Sequence, residues 1–193
     1  MYEFITGDIV ERTPAYVVLE TGNVGYYINI SLHTYSLLPG QNPCQLFIHQ
    51  IVREDAHILF GFTSREEREV FRQLISVSGI GANTARLILS SLGPREIEQA
   101  INESNVAILQ GIKGIGAKSA QRIIVDLQGK LRTPAEAGHL FPGQSNTLRD
   151  EALSALVNLG FTRKAVDKVL EQILRGNDEL SVEGLIKEAL KKL

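Results

Sequence analysis

The segment Leu109–Ile124, "LQGIKGIGAKSAQRII", decides how this chain is to be read, because its glycines admit two incompatible folds. A loop that cradles nucleotide phosphates follows a strand and has the form G-x-x-x-x-G-K-[ST]. Gly111 and Gly116 keep that separation, but Ala117 stands before Lys118 and Ser119, and the residues leading in have helical periodicity. The same pattern occurs a second time, upstream: "LISVSGIGANTARLIL", Leu74–Leu89, aligns with it without a gap. In each copy an apolar helix leads in through Leu74 and Val77 or through Leu109 and Ile112. Two glycines then bracket one aliphatic residue, Gly79-Ile80-Gly81 or Gly114-Ile115-Gly116, and a second helix starts at once.

That form suits phosphate, but not the phosphates of a bound nucleotide. Glycines permit positive φ and remove Cβ atoms, so a large anion can approach the backbone. Just behind them the next helix offers unpaired N–H groups and the positive end of its dipole. Ile80 and Ile115 anchor the turns, and Lys118 with Arg122 four residues on adds charge to one helix face. The pattern resembles the helix-hairpin-helix motif, twice in tandem. Modules of that kind hold the sugar-phosphate backbone of DNA without reading bases. A plain pair of helical hairpins with helix-stop glycines is the structural alternative. The charge distribution favours DNA: the net charge of −2 divides into −4 over residues 1–62, +3 over 63–132 and −1 over 133–193.

Outward from the repeat, residues 1–62 alternate apolar and polar positions in short runs such as "AYVVLET", "GYYINIS" and "QLFIHQIV". Gly22-Asn23, Pro39-Gly40 and Asn42-Pro43 punctuate them. Five or so strands in this length fit a Greek-key barrel of the OB type better than a sandwich. "LFIHQIV" and "HILFGF" flank "REDA", which places Glu54 and Asp55 at a hairpin tip. From Ser64, an N-cap with Glu66 and Glu67 in the first turn, the period becomes helical. Further helices are expected with Pro94 at a first position and with Ser104 as N-cap, completing an all-helical module over 63–132. Residues 133–147 have the composition of a flexible linker. Residues 148–193 read as three short helices, the first stopped at Leu159-Gly160.

Composition narrows the function classes. Glu3, Asp8, Glu11, Arg12 and Glu20 leave no apolar stretch for a signal peptide, and no apolar run approaches membrane-spanning length, so a cytoplasmic protein without membrane contact is expected. Cys44 has no partner for a disulfide, and His33, His49, His57 and His139 have no metal-ligand spacing. No phosphate loop or nucleophile triad is present, so neither an enzyme nor a cofactor is expected.

The order of barrel, paired hairpins, linker and small helical unit resembles, over essentially the whole chain, the RuvA family of Holliday-junction-binding subunits. The pieces that carry the likeness are the two "GIG" hairpins, "VREDAHILFGF" and "LVNLGF". The resemblance implies an α+β multidomain chain with an OB-type barrel, a tandem helix-hairpin-helix module and a C-terminal bundle of the ubiquitin-associated type. It implies a non-catalytic DNA-binding subunit of recombination and DNA repair. A homotetramer, alone or as two stacked tetramers, would hold four-way junction DNA, recruit the hexameric RuvB ATPase motor and work beside the RuvC resolvase.

By the same resemblance Gly79, Gly81, Gly114 and Gly116, with Lys118 and Arg122, hold the duplex arms. Glu54 and Asp55 form an acidic pin, and Leu156, Leu159 and Leu190 dock the motor. Those leucines would otherwise fill the bundle's own core. At Asn83 the family often carries Lys, so this position is expected to give phosphate a hydrogen-bond donor only. A nuclease or glycosylase anchored by the hairpins, and an adaptor for ubiquitin-like proteins built on the last unit, are the competing classes. The first needs a catalytic acid or Lys beside a hairpin, and none is seen.

Overall fold

Alternation in the first third of the chain closes into a barrel. In the computed structural model, which describes residues 1–130, 144–174 and 180–193, five strands pair in the order β1-β2-β3-β5-β4. They are β1 (Phe4–Arg12), β2 (Tyr16–Thr21), β3 (Val24–Ile30), β4 (Cys44–Val52) and β5 (His57–Phe62). All neighbours are antiparallel except β3 and β5, whose parallel pairing sets Ile28 opposite Leu59 and closes the cylinder. Val17, Leu19, Ile28, Ile30, Leu46 and Ile48 alternate inward and are fully or almost fully buried. Gly22 and Asn23 both take positive φ, +58° and +62°, as a two-residue hairpin with right-handed strand twist demands.

Between β3 and β4 lies a helix the alternation did not reveal, α1 (Leu32–Leu37), capped by Ser31, whose Oγ accepts from the Thr34 amide at 2.9 Å. Six residues are too few to display a helical period.

Five more helices follow: α2 (Arg65–Ser76), α3 (Ala82–Ser91), α4 (Pro94–Asn102), α5 (Val106–Gln110) and α6 (Ala117–Leu127). Ser64 caps α2 by accepting from the Glu67 amide, and Pro94 opens α4, both as the local chemistry requires. The expected cap at Ser104 is corrected: Asn105 caps α5, accepting from the Ile108 amide at 3.3 Å. Ser104 is occupied in ending α4. It takes φ +54° while its amide donates to Ile101 and that of Asn105 donates to Ala100, a Schellman closure.

Phe60 and Phe62 of β5 share one core with Phe71, Leu74, Ile88, Ile97, Leu109 and Ile123 of the helices. Barrel and hairpins are therefore packed as one body, within the compact unit Met1–Gly138. Two buried polar groups also cross this seam. Arg68 reaches Glu3 Oε1 at 2.5 Å and the Glu3 and Ile48 carbonyls at 2.8 and 3.3 Å. Glu67 accepts from the Ser31 hydroxyl at 2.5 Å and the Thr34 hydroxyl at 2.7 Å.

Burial raises the Glu67 pKa above that of a free carboxyl, against the pull of those two hydroxyls and of His33. The folded protein thus binds this proton more tightly than the unfolded chain. The stability Glu67 contributes is full below the ordinary carboxyl pKa and declines as pH rises through the folded value. Glu67→Gln, which cannot ionise, is expected to gain stability relative to the parent as pH is raised from 4 to 8. Urea unfolding followed by tyrosine fluorescence checks this, because all five tyrosines lie in residues 1–62. A stability difference that does not vary with pH would contradict it.

The second unit, His139–Leu193, contains α7 (Gln144–Asn158), α8 (Arg163–Leu174) and α9 (Val182–Leu190). Most of the segment read as linker lies outside the described residues, and α7 begins within its last part. Gly160, at φ +100°, ends α7 with the Gly160 and Phe161 amides on the Val157 and Leu156 carbonyls, the stop read from sequence. No helix among the described residues is long and apolar enough to cross a membrane.

Candidate nucleic-acid interface

The two repeats form hairpins of nearly the same backbone. Gly79 and Gly114 take φ +91° and +90°, a region closed to side chains without strain. The Ile80 and Ile115 amides donate to the Val77 and Ile112 carbonyls, each at 3.0 Å, and both isoleucines are buried as anchors. Gly81 and Gly116 then cap α3 and α6 with φ −84° and −79°, ordinary extended backbone. A Cβ at either would meet nothing within 4 Å. The first glycine of each pair is thus required by the turn, whereas the second leaves open space that the protein does not fill. Among the described residues no side chain caps either helix, so the first-turn amides of Ala82–Thr84 and Ala117–Ser119 are open to an outside acceptor.

The hairpins differ in charge. Lys118 and Arg122 are exposed on α6; among the described residues Lys118 has no protein partner, and Arg122 stands 3.8 Å from Asp126 in a solvated pair. The repeat sets Asn83 in the place of Lys118 and Leu87 in that of Arg122. Arg86 is the one basic residue on α3, and it is turned into the protein, donating to the Ala15 carbonyl at 3.1 Å and Asn29 Oδ1 at 3.2 Å. The first hairpin consequently has amides but no available cation on its own helix.

Facing it is a cleft of about 500 Å³ between the barrel and the start of α3, lined by Tyr27, Asn29, Arg53, His57, Gly81 and Asn83 among others. Glu54 and Asp55 are exposed in the turn joining β4 to β5, where the Arg53 amide donates to the Ala56 carbonyl at 2.8 Å. Arg53 and His57, which flank the acids, escaped the sequence reading. The sign change within "VREDAH" was the only signal for them.

In the C-terminal unit the three leucines separate. Leu156 is fully buried with Ala152, Leu153, Val166, Leu170 and Leu185, which corrects its assignment as a docking residue. It lies on the inward stripe of α7 with Ala152 and Leu153. Leu159 and Leu190 are 63% and 44% exposed, and Val157, which drew no notice in the sequence, is 40% exposed.

Three family models match the chain: RuvA N terminal domain over residues 1–61, SAM-like helix-hairpin-helix tandem over 71–129, and RuvA C-terminal domain over 147–193. Among curated proteins the chain is 51% identical to the Holliday junction branch migration complex subunit RuvA of Christiangramia forsetii and 50% identical to that of Flavobacterium psychrophilum. Both alignments run over 193 residues and cover both chains completely. It is 45% identical to the protein of the same name from Bacteroides fragilis, again over the full length of both.

Proposed function

This chain belongs to the RuvA family of Holliday junction branch migration complex subunits, and from that premise we propose that it grips four-way junction DNA without regard to sequence and presents it to the RuvB motor. The duplicated hairpin carries the reading: each copy combines open glycines with uncapped first-turn amides, and the second adds Lys118 and Arg122. Backbone phosphates are the ligand such groups take. The chain performs no chemistry of its own in this scheme. Motor recruitment falls to the C-terminal unit, where Leu159 and Leu190 offer apolar surface. A cytoplasmic homotetramer, or two stacked, working with the RuvC resolvase, completes the proposal.

Glu54 and Asp55 have the part of excluding the wrong DNA. Four copies around a junction centre would repel a continuous duplex laid across it, yet tolerate arms that splay outward. A gel-shift comparison of four-way junction with linear duplex, free of ATP and metal, tests the reading. The parent protein is expected to prefer the junction. Glu54→Gln with Asp55→Asn is expected to bind linear duplex better at low salt and to narrow that preference, less so as salt screens the charges. Equal affinity of the parent for both DNAs would overturn the junction reading. An unchanged preference in the variant would reduce the acids to a solvated turn.

A further inference from the structure

We propose that Arg53 supplies the countercharge the first hairpin lacks, with His57 beside it as a ring N–H donor, and that the cleft between the β4–β5 turn and α3 receives one phosphodiester, with its sugar, of a bound DNA strand. The inference rests on the reading that the hairpins hold the DNA backbone. It begins from the unequal repeats: α6 carries Lys118 and Arg122, while α3 presents Asn83 and Leu87 at the same positions and spends Arg86 on Ala15 and Asn29.

A phosphate at the first hairpin would therefore meet the Ala82–Thr84 amides with no countercharge from α3. The opposite wall supplies one. Arg53 follows the last residue of β4 and His57 opens β5; both line the cleft that Gly81 and Asn83 line from the other side. Among the described residues neither makes an ion pair or a side-chain hydrogen bond, although Glu54 and Asp55 stand between them in sequence. Were Arg53 there to neutralise the acids, pairing with them would be expected. Arg53 and His57 instead face an open volume of about 500 Å³, ample for a sugar-phosphate unit.

The two walls are held in register. Arg86 ties α3 to β3, and the core shared by β5 and the helices leaves little freedom between them. Attraction toward the cleft and repulsion at the turn thus alternate within Arg53–His57. A strand drawn in by Arg53 is kept to one side of the acids, which orients it as well as holding it.

The test uses the full chain, a fluorescent four-way junction and a salt titration. Arg53→Gln is exposed and leaves the turn's backbone bond intact. It is expected to weaken binding by roughly tenfold near 0.1 M salt and to reduce the slope of log K against log salt by about one per engaged site. Arg53→Gln with His57→Gln is expected to weaken it further. Asn83→Lys, which places charge on the facing wall, is expected to recover most of the loss in either background. Parental affinity and slope in Arg53→Gln, alongside weakened binding by Lys118→Ala, would overturn the cleft site while leaving the DNA reading intact. So would a loss that Asn83→Lys fails to recover. If Lys118→Ala also bound like the parent, the reading of the hairpins would fall and this inference with it.

Discussion

Phe71→Ala is expected to cost the N-terminal unit about 3–5 kcal/mol, the usual range for truncating a fully buried aromatic residue. Phe71 on α2 is wholly inaccessible to solvent. Its ring centroid lies 5.0 Å from those of Phe60 and Phe62 on β5 and 5.4 Å from that of His49 on β4. This ring thus packs against both barrel strands at the centre of the seam. Removing it leaves a cavity bounded by barrel and helices, and a rigid strand on one side limits how far the site can collapse. Such a loss is a large fraction of the stability of an ordinary domain. Urea unfolding read by tyrosine fluorescence is expected to shift to much lower denaturant while staying a single transition. A shift worth less than 1 kcal/mol, or a barrel that unfolds separately from the helices by circular dichroism, would show that the seam is not the common core described.

Lys118→Ala with Arg122→Ala is expected to have the largest effect on DNA binding. Each lost phosphate contact lowers the salt slope by about 0.9 and weakens binding by roughly tenfold at 0.1 M salt. Lys118 is expected to account for the greater share, because Arg122 is already near Asp126 and gives up part of that interaction to bind phosphate. The loss is expected to be the same for DNAs of different sequence, since no base is read. Thermal stability should barely move, because both side chains are exposed. Anisotropy titrations at several salt concentrations measure all of this. Binding that weakens for some sequences only, or a slope equal to the parent's, would remove both residues from the interface.

The parts of this protein that the amino-acid sequence determined by itself are those whose physics is local. The paired glycines, the change from alternation to helical period at Ser64, the cap there and the Pro94 start each depend on a few consecutive residues. Their outcome follows from φ, capping and side-chain periodicity without reference to distant chain. The repeat added a second kind of information, because two copies of one turn imply one common role.

What tertiary structure decided concerns residues whose partners are far away in sequence or whose place depends on a neighbouring element. Asn105 rather than Ser104 caps α5, because the closure of α4 claims Ser104. Leu156 and Leu159 are alike in sequence, and only the packing of α7 on its two neighbours buries one and exposes the other. Arg86 looks like a hairpin cation until the barrel presents Ala15 and Asn29 to it. Arg53 and His57 come to line one cleft with Gly81 and Asn83 only once β5 pairs with β3 and the barrel closes beside α3. A charge is written in the sequence, but the side it faces is set by which surfaces exclude water around it, and that follows only once the chain has closed.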